Sequence, residues 1–95
     1  MGNSKDEKGD WASLREKLEE EGNYPKVYLF KFIVPGDIRS IAVLEAVFGE
    51  EAQVNMRMSK NGKYASFSVK ELMLNTTSII ERYEKAMQVE GCMAL

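Results

Sequence analysis

Residues 53–69 read QVNMRMSKNGKYASFSV, and this stretch decides the fold. Its Asn61-Gly62 pair is the strongest short-range signal for a β-hairpin, because a type I′ turn needs positive φ at both central residues. With a two-residue turn at this pair, Val54 faces Val69, and the apolar side chains of both arms fall on one face of the hairpin. A register shifted by one residue would move one set to the opposite face. The stretch therefore predicts two antiparallel strands of a sheet.

The segments on either side of this hairpin alternate between strand and helix patterns. Residues 26–34 read KVYLFKFIV, which is typical of a central strand because it is rich in β-branched and aromatic residues. Helix-period apolar patterns follow over residues 37–48 and again from about residue 75, and residues 89–95 are long enough for a last strand. After a first helix, the order is βαββαβ. This order predicts an α+β fold, a ferredoxin-like sandwich with a four-stranded antiparallel sheet and two helices on one face.

The N-terminal part of the chain is predicted to lie outside this sandwich. Residues 1–9 are polar and charged and predict a disordered lead-in, and residues 10–22 predict an amphipathic helix capped by Asp10. Residues 24–95 predict the ferredoxin-like domain. Trp11, Leu14 and Leu18 form a narrow apolar stripe on the predicted helix. We expect this stripe to dock, either on its own domain or on another chain.

The composition excludes several classes of function. The chain has no histidine and a single cysteine, Cys92, so the usual zinc sites, iron–sulfur clusters and histidine-based catalytic sites are excluded. The sequence therefore predicts no catalytic residue, no cofactor-binding residue and no metal ligand, and it indicates a protein that is not an enzyme. A net charge of -2 gives no overall attraction to nucleic acid or to an anionic membrane. No apolar segment has the length of a secretory signal or of a membrane span, which predicts a cytoplasmic protein.

Strand alternation predicts two different sheet faces. The helix-covered face is expected to hold Phe30, Phe32, Val54, Met56, Phe67 and Val69. The other face is half polar and half apolar, so it predicts a partner or a covering N-terminal helix. Its candidate interaction residues are Lys31, Arg57, Tyr64, Ser66 and Lys70. The cations among them have a simpler interpretation as solvated charges that keep a sheet face soluble.

Several short motifs resemble those of the YbeD-like family of small bacterial proteins, whose function is unknown. They are Tyr24-Pro25, the strand residues Phe30, Lys31 and Ile33, the spacing Gly62-x-Tyr64-x-Ser66, Ile80-x-x-Tyr83 and the closing apolar strand. The resemblance covers residues 14–95 and implies a ferredoxin-like fold similar to ACT regulatory domains, which bind small ligands, often amino acids, beside larger enzymes. This chain departs from the family at residues 48–51, which read FGEE where a His-x-Pro often stands. No role of that histidine can be carried over.

Three functions are compatible with these features. The favoured one is a non-enzymatic regulatory or protein-interaction module that acts through its open sheet face or its edge strands, as a homodimer or on a larger enzyme. The alternative is an ACT-like sensor of an amino-acid-type small molecule, and a possible small effector also accompanies the first function. The third, a weak nucleic-acid binder, is disfavoured because the chain is acidic and Tyr64 is the one clear aromatic candidate on the open face.

Overall fold

The computed structural model describes the backbone of residues 4–95 and the side chains of residues 11–95. Its elements are α1 (Ser4–Glu21), β1 (Lys26–Pro35), α2 (Ile38–Glu45), β2 (Gln53–Met58), β3 (Tyr64–Met73), α3 (Thr76–Ala86) and β4 (Met93–Ala94). The four strands form one sheet in the order β2-β3-β1-β4, and every neighbouring pair is antiparallel. The fold is therefore α+β, with three helices and a four-stranded antiparallel sheet, and it is compatible with a ferredoxin-like fold.

The predicted pairing of β2 with β3 is confirmed. Val54 lies opposite Val69, Met56 opposite Phe67 and Met58 opposite Ala65. Side chains on directly opposed residues share a face of the sheet. The register therefore keeps the apolar positions of both strands on one side.

The turn between these strands is not the predicted type I′ turn. Gly62 has a φ of 74°, but Asn61 does not have positive φ, and the loop closes through the Ser59 N–H, which donates to the Tyr64 carbonyl at 2.8 Å. The physical reason is the Asn61 side chain. Its carbonyl oxygen accepts the Lys63 N–H and the Ser59 hydroxyl, each at 3.0 Å. These bonds stabilise a wider loop over residues 60–63 without changing the strand register.

The core lies between the sheet and the helices, on one face of the sheet. Phe30 and Phe32 of β1 are fully buried, and their ring centroids lie 5.4 and 5.6 Å from the Tyr83 ring on α3. The same cluster takes Leu44 from α2 and Leu18 from α1. All three helices therefore pack against the same side of the sheet.

Val54 and Met56 lie on the helix side of the sheet as predicted, but the helices do not cover them as expected. Both point to the helix side of the sheet, yet they are 41% and 38% exposed, and Met58 is 41% exposed. The reason is that β2 is an edge strand and α2 packs over β1, while α3 packs over β3. α2 is also shorter than predicted, because it ends at Glu45 and residues 46–48 leave the helix. The helix layer therefore leaves β2 exposed.

Helix α1 begins earlier than predicted. It starts at Ser4, so Asp10 lies inside the helix and is not its N-cap. The predicted lead-in over residues 1–9 thus overlaps the helix from residue 4, and residues 1–3 lie outside the described part of the chain. Ser favours helix starts, and the Lys and Glu residues that follow have good helix propensity, which is the physical reason for the longer helix. α1 ends at Glu21, before Gly22 as predicted. None of the described helices has the length and apolar composition required to cross a membrane.

Candidate interaction surface

The sheet face that points away from the helices is called the open face here. Alternation along each strand and the observed register define its members. They are Val27, Leu29, Lys31 and Ile33 of β1, Gln53, Asn55 and Arg57 of β2, Tyr64, Ser66, Ser68, Lys70 and Leu72 of β3, and Met93 of β4.

Apolar side chains occupy both ends of the open face. At one end, Val27 lies opposite Leu72, and Leu29 follows along the same side of β1. These three side chains, the first apolar cluster, are 64%, 56% and 46% exposed. At the other end, Ile33 lies opposite Met93 and forms the second apolar cluster with it. Exposed aliphatic residues grouped in this way mark interaction sites more often than single exposed residues do.

Cationic side chains occupy the middle of the same face. Lys31 lies opposite Ser68, Lys70 lies between Leu29 and Gln53, and Arg57 lies opposite Ser66. Among the side chains of residues 11–95, the ion pairs are Lys26 with Glu21 and Arg82 with Glu71. The three cations of the open face therefore have no carboxylate partner within that part of the chain.

The structure brings most of the predicted interaction residues together. Lys31, Arg57, Ser66 and Lys70 share the middle of the open face. Tyr64 shares the face but lies at its far end, opposite Pro35. Tyr64 is separate from the first apolar cluster, whose residues were not among the predicted interaction residues.

A shallow hollow of about 240 Å³ lies beside the cations. Its lining on the open face is Leu29, Gln53, Asn55, Ser68 and Lys70, and Val54 borders it at the sheet edge. The hollow thus combines amide, hydroxyl and ammonium groups with an aliphatic wall.

Helix α1 packs on the opposite side of the molecule from the open face. The Trp11 ring centroid lies 5.4 Å from that of Tyr83, and the Arg15 guanidinium donates to the Thr77 hydroxyl at 3.2 Å. Leu18 is buried and Leu14 is half-buried against the same core. The three predicted docking residues therefore contact their own domain at α3 and the core, and no described helix covers the open face.

A buried ion pair that was not predicted from the sequence lies on the helix side of the sheet. Glu71 is 8% exposed, and its carboxylate accepts two bonds from the Arg82 guanidinium, at 3.0 and 2.9 Å. One of its oxygens also accepts the Gly49 N–H at 2.9 Å. The pair therefore ties β3 to α3 and to the segment before β2. The sequence feature that could have predicted this pair is the position of Glu71. Glu71 alternates in step with the buried residues Phe67 and Val69, so it points to the same side of β3.

A second hollow, of about 520 Å³, lies between α2 and the segment after α3. Its lining includes Asp37, Ser40, Val43 and Glu90. The Asp37 carboxylate accepts the Ser40 N–H at 2.8 Å and the Ser40 hydroxyl at 2.9 Å, and these bonds lower the pKa of Asp37. This carboxylate is therefore already used to cap α2.

Two buried groups that could act as nucleophiles or acids are held in their neutral forms. Burial raises the pKa of the Cys92 thiol to about 11, so the thiol is protonated at neutral pH. Burial, and then a hydrogen bond with the Tyr28 hydroxyl at 3.0 Å, raises the pKa of Tyr83. Both groups act in packing.

Comparison with known proteins assigns no function to this chain. The chain matches no protein-family model, no curated protein and no solved structure.

Proposed function

We propose that this chain is a non-enzymatic, cytoplasmic protein-interaction module that binds its partner through the open face of the sheet. The observation that carries this proposal is the exposure of the first apolar cluster, Val27, Leu29 and Leu72, on a regular sheet face. Antiparallel sheets in small domains commonly have one solvated face, but that face is usually polar. Here it presents aliphatic groups in positions that the strand register fixes rigidly.

The placement of α1 supports the same proposal. An amphipathic helix at the N-terminus was one of two candidates to cover the open face, and Trp11 and Leu18 instead contact α3 and the core. Within the described residues no helix covers the open face, which supports its use as a contact for another molecule. A rigid surface loses little conformational entropy on binding, which favours its use in recognition.

Site-specific photocrosslinking in the native cell tests this proposal. A photoreactive residue replaces Leu72 on the open face, and a matched variant carries it at Glu81, which is exposed on α3. We expect a discrete crosslinked adduct from position 72 and none from position 81. Equal adducts from both positions, or no adduct from position 72, would refute an interaction through the open face.

The alternative function is an ACT-like sensor of a small amino-acid-type ligand. The hollow beside Lys70 favours it, because its volume of about 240 Å³ lies below the range of about 300–1,000 Å³ for drug-sized ligands and suits a smaller zwitterion. Thermal-shift screening against metabolites separates the two functions. A ligand at a hundred times its dissociation constant adds about 2.7 kcal/mol to the free energy of unfolding. The absence of a shift across a broad library would remove this alternative.

The proposed assignment of the fold follows from the order of the elements. One helix connects β1 to β2 and another connects β3 to β4, and the sheet order is β2-β3-β1-β4. We take this arrangement to be the ferredoxin-like βαββαβ fold, and we propose on the same basis a relation to the YbeD-like and ACT-like domains.

A further inference from the structure

We infer that the open face binds an acidic amphipathic helix of a different protein. This inference rests on the proposed function and specifies the chemistry of the partner. The charges of the open face support it first. Lys31, Arg57 and Lys70 point from it, and the strands contribute no Asp or Glu to it. The one carboxylate in the strands, Glu71, points to the other side and binds Arg82.

The positions of the cations favour a partner that brings carboxylates to the centre of the face. Lys31 lies opposite Ser68, so Lys70 is its diagonal neighbour on β3. Diagonal positions on neighbouring strands are about 7–8 Å apart, which is within the Debye length of about 8 Å at physiological salt. The two lysines therefore add to the same local positive potential, and an acidic residue placed between them would be attracted by both.

The two apolar clusters set the spacing of the partner's apolar residues. From Leu29 to Ile33 the strand advances by four residues, which is about 14 Å at about 3.4 Å per residue. An α-helix rises by about 1.5 Å per residue, and side chains recur on one of its faces at i, i+3, i+4, i+7 and i+8. Apolar side chains at i and i+8 are therefore about 12 Å apart on one face of the complementary helix, and acidic residues at i+3 and i+4 would lie between them.

A second copy of this chain does not fit the open face through its own open face. Stacking two open faces against each other would bury three cations from each copy and bring no carboxylate from the strands to either side. Burying unpaired like charges is strongly unfavourable. Nucleic acid fits less well than an acidic helix, because the exposed apolar groups at the first cluster are aliphatic and cannot stack on bases.

Binding of designed peptides to the full chain tests the inference. Two labelled helical peptides of about 18 residues share leucines at positions i and i+8, and positions i+3 and i+4 between them carry Glu in one peptide and Lys in the other. Fluorescence anisotropy at about 50 mM and about 300 mM salt gives both affinities. We expect the acidic peptide to bind at least about tenfold more tightly, with an affinity that falls as the salt concentration rises.

Matched charge variants locate the binding. The double variant Lys31→Glu with Lys70→Glu should lose the preference for the acidic peptide. The control variant Lys17→Glu with Lys85→Glu makes the same change in net charge at exposed positions on α1 and α3, and it should keep the preference. Circular dichroism checks that each variant is folded. If the first variant does not fold, the milder Lys31→Gln with Lys70→Gln replaces it, with a partial loss expected.

Several results would overturn the inference. They are equal binding of the two peptides, an equal loss in the control variant, and tighter binding of a polyuridylate oligonucleotide than of the acidic peptide. The crosslinking experiment at Leu72 distinguishes a wrong partner chemistry from the absence of any interaction through the open face. An adduct whose contact segment is not acidic would leave the interaction module standing and remove the acidic helix.

Discussion

Replacing Glu71 with Gln removes the charge from the buried ion pair while it keeps the shape of the side chain. The Arg82 guanidinium then loses its bidentate carboxylate partner, whose two bonds measure 3.0 and 2.9 Å. Breaking a buried ion pair by changing one partner costs about 3–5 kcal/mol. The Arg82 side chain is 25% exposed, so water can solvate part of the guanidinium. We therefore expect Glu71→Gln to lower the free energy of unfolding by about 2–3 kcal/mol.

Urea denaturation at neutral pH measures this loss, followed by circular dichroism and by the fluorescence of Trp11. For a domain of this size, a loss of 2–3 kcal/mol corresponds to a fall of about 10–20 °C in the thermal midpoint. Glu84→Gln is the matched control, because Glu84 is exposed on α3, and we expect a change within about 0.5 kcal/mol. A Glu71→Gln variant as stable as this control would refute the argument.

A double variant tests whether the loss comes from an unpaired charge. Glu71→Met combined with Arg82→Met replaces both partners with apolar groups, which is often neutral for a buried pair. We expect the double variant to be more stable than Arg82→Met alone, which leaves the Glu71 carboxylate buried. Additive losses would contradict this mechanism.

Gly49 offers an independent test of the same contact. A Cβ at Gly49 would lie 2.7 Å from an oxygen of Glu71, which Arg82 holds in place. Gly49→Ala should therefore destabilise the wild-type chain more than it destabilises a Glu71→Ala chain, by urea denaturation of the four proteins. Equal losses in the two backgrounds would show that the carboxylate does not cause the strain.

Three further predictions concern the docking of α1, the reactivity of Cys92 and the N-terminal cap of α2. Leu18→Ala should lower the free energy of unfolding by about 2–4 kcal/mol in urea, and Leu14→Ala by less, because Leu18 is 3% exposed and Leu14 is only half-buried; equal losses would argue against this docking of α1. Cys92, with a pKa of about 11 against an ordinary value of 9.0, should react with iodoacetamide at pH 8 about a hundredfold more slowly than the unfolded chain does, and equal rates would contradict its burial. The lowered pKa of Asp37 means that its cap stabilises α2 above the ordinary value of 3.8 and loses this effect as the pH falls through the lower folded value. Asp37→Ala should therefore lower the thermal midpoint more at pH 7 than in strong acid, whereas an equal fall at both would rule out the charged cap.

The sequence predicts the sheet well because strand parity carries most of the information. Opposed residues such as Met56 and Phe67 must share a face, so one turn position fixes the register of the whole hairpin. The conformation of the turn itself was predicted wrongly. It depends on two hydrogen bonds to the Asn61 side chain, and a dipeptide rule does not include such bonds.

The burial of β2 could not be read from its alternating pattern. Parity identifies the side to which Val54 and Met56 point, but their exposure depends on how far the helix layer extends across the sheet. That extent depends on the length of α2, which stops at Glu45, and on its placement over β1. Both are tertiary properties. A strand at the edge of a sheet can therefore have an apolar pattern and still be exposed on both faces.

The charges of the strands show how the same parity rule extends to function. On β3, the neighbours Lys70 and Glu71 point to opposite sides, and each side gives its charge a different environment. On the helix side, the Glu71 carboxylate is buried and paired with Arg82, so it stabilises the fold. On the open face, Lys70 joins Lys31 and Arg57 without a carboxylate from the strands. The net charge of -2 therefore does not describe the open face, and a partner that contacts this face meets positive charge alone from its strands.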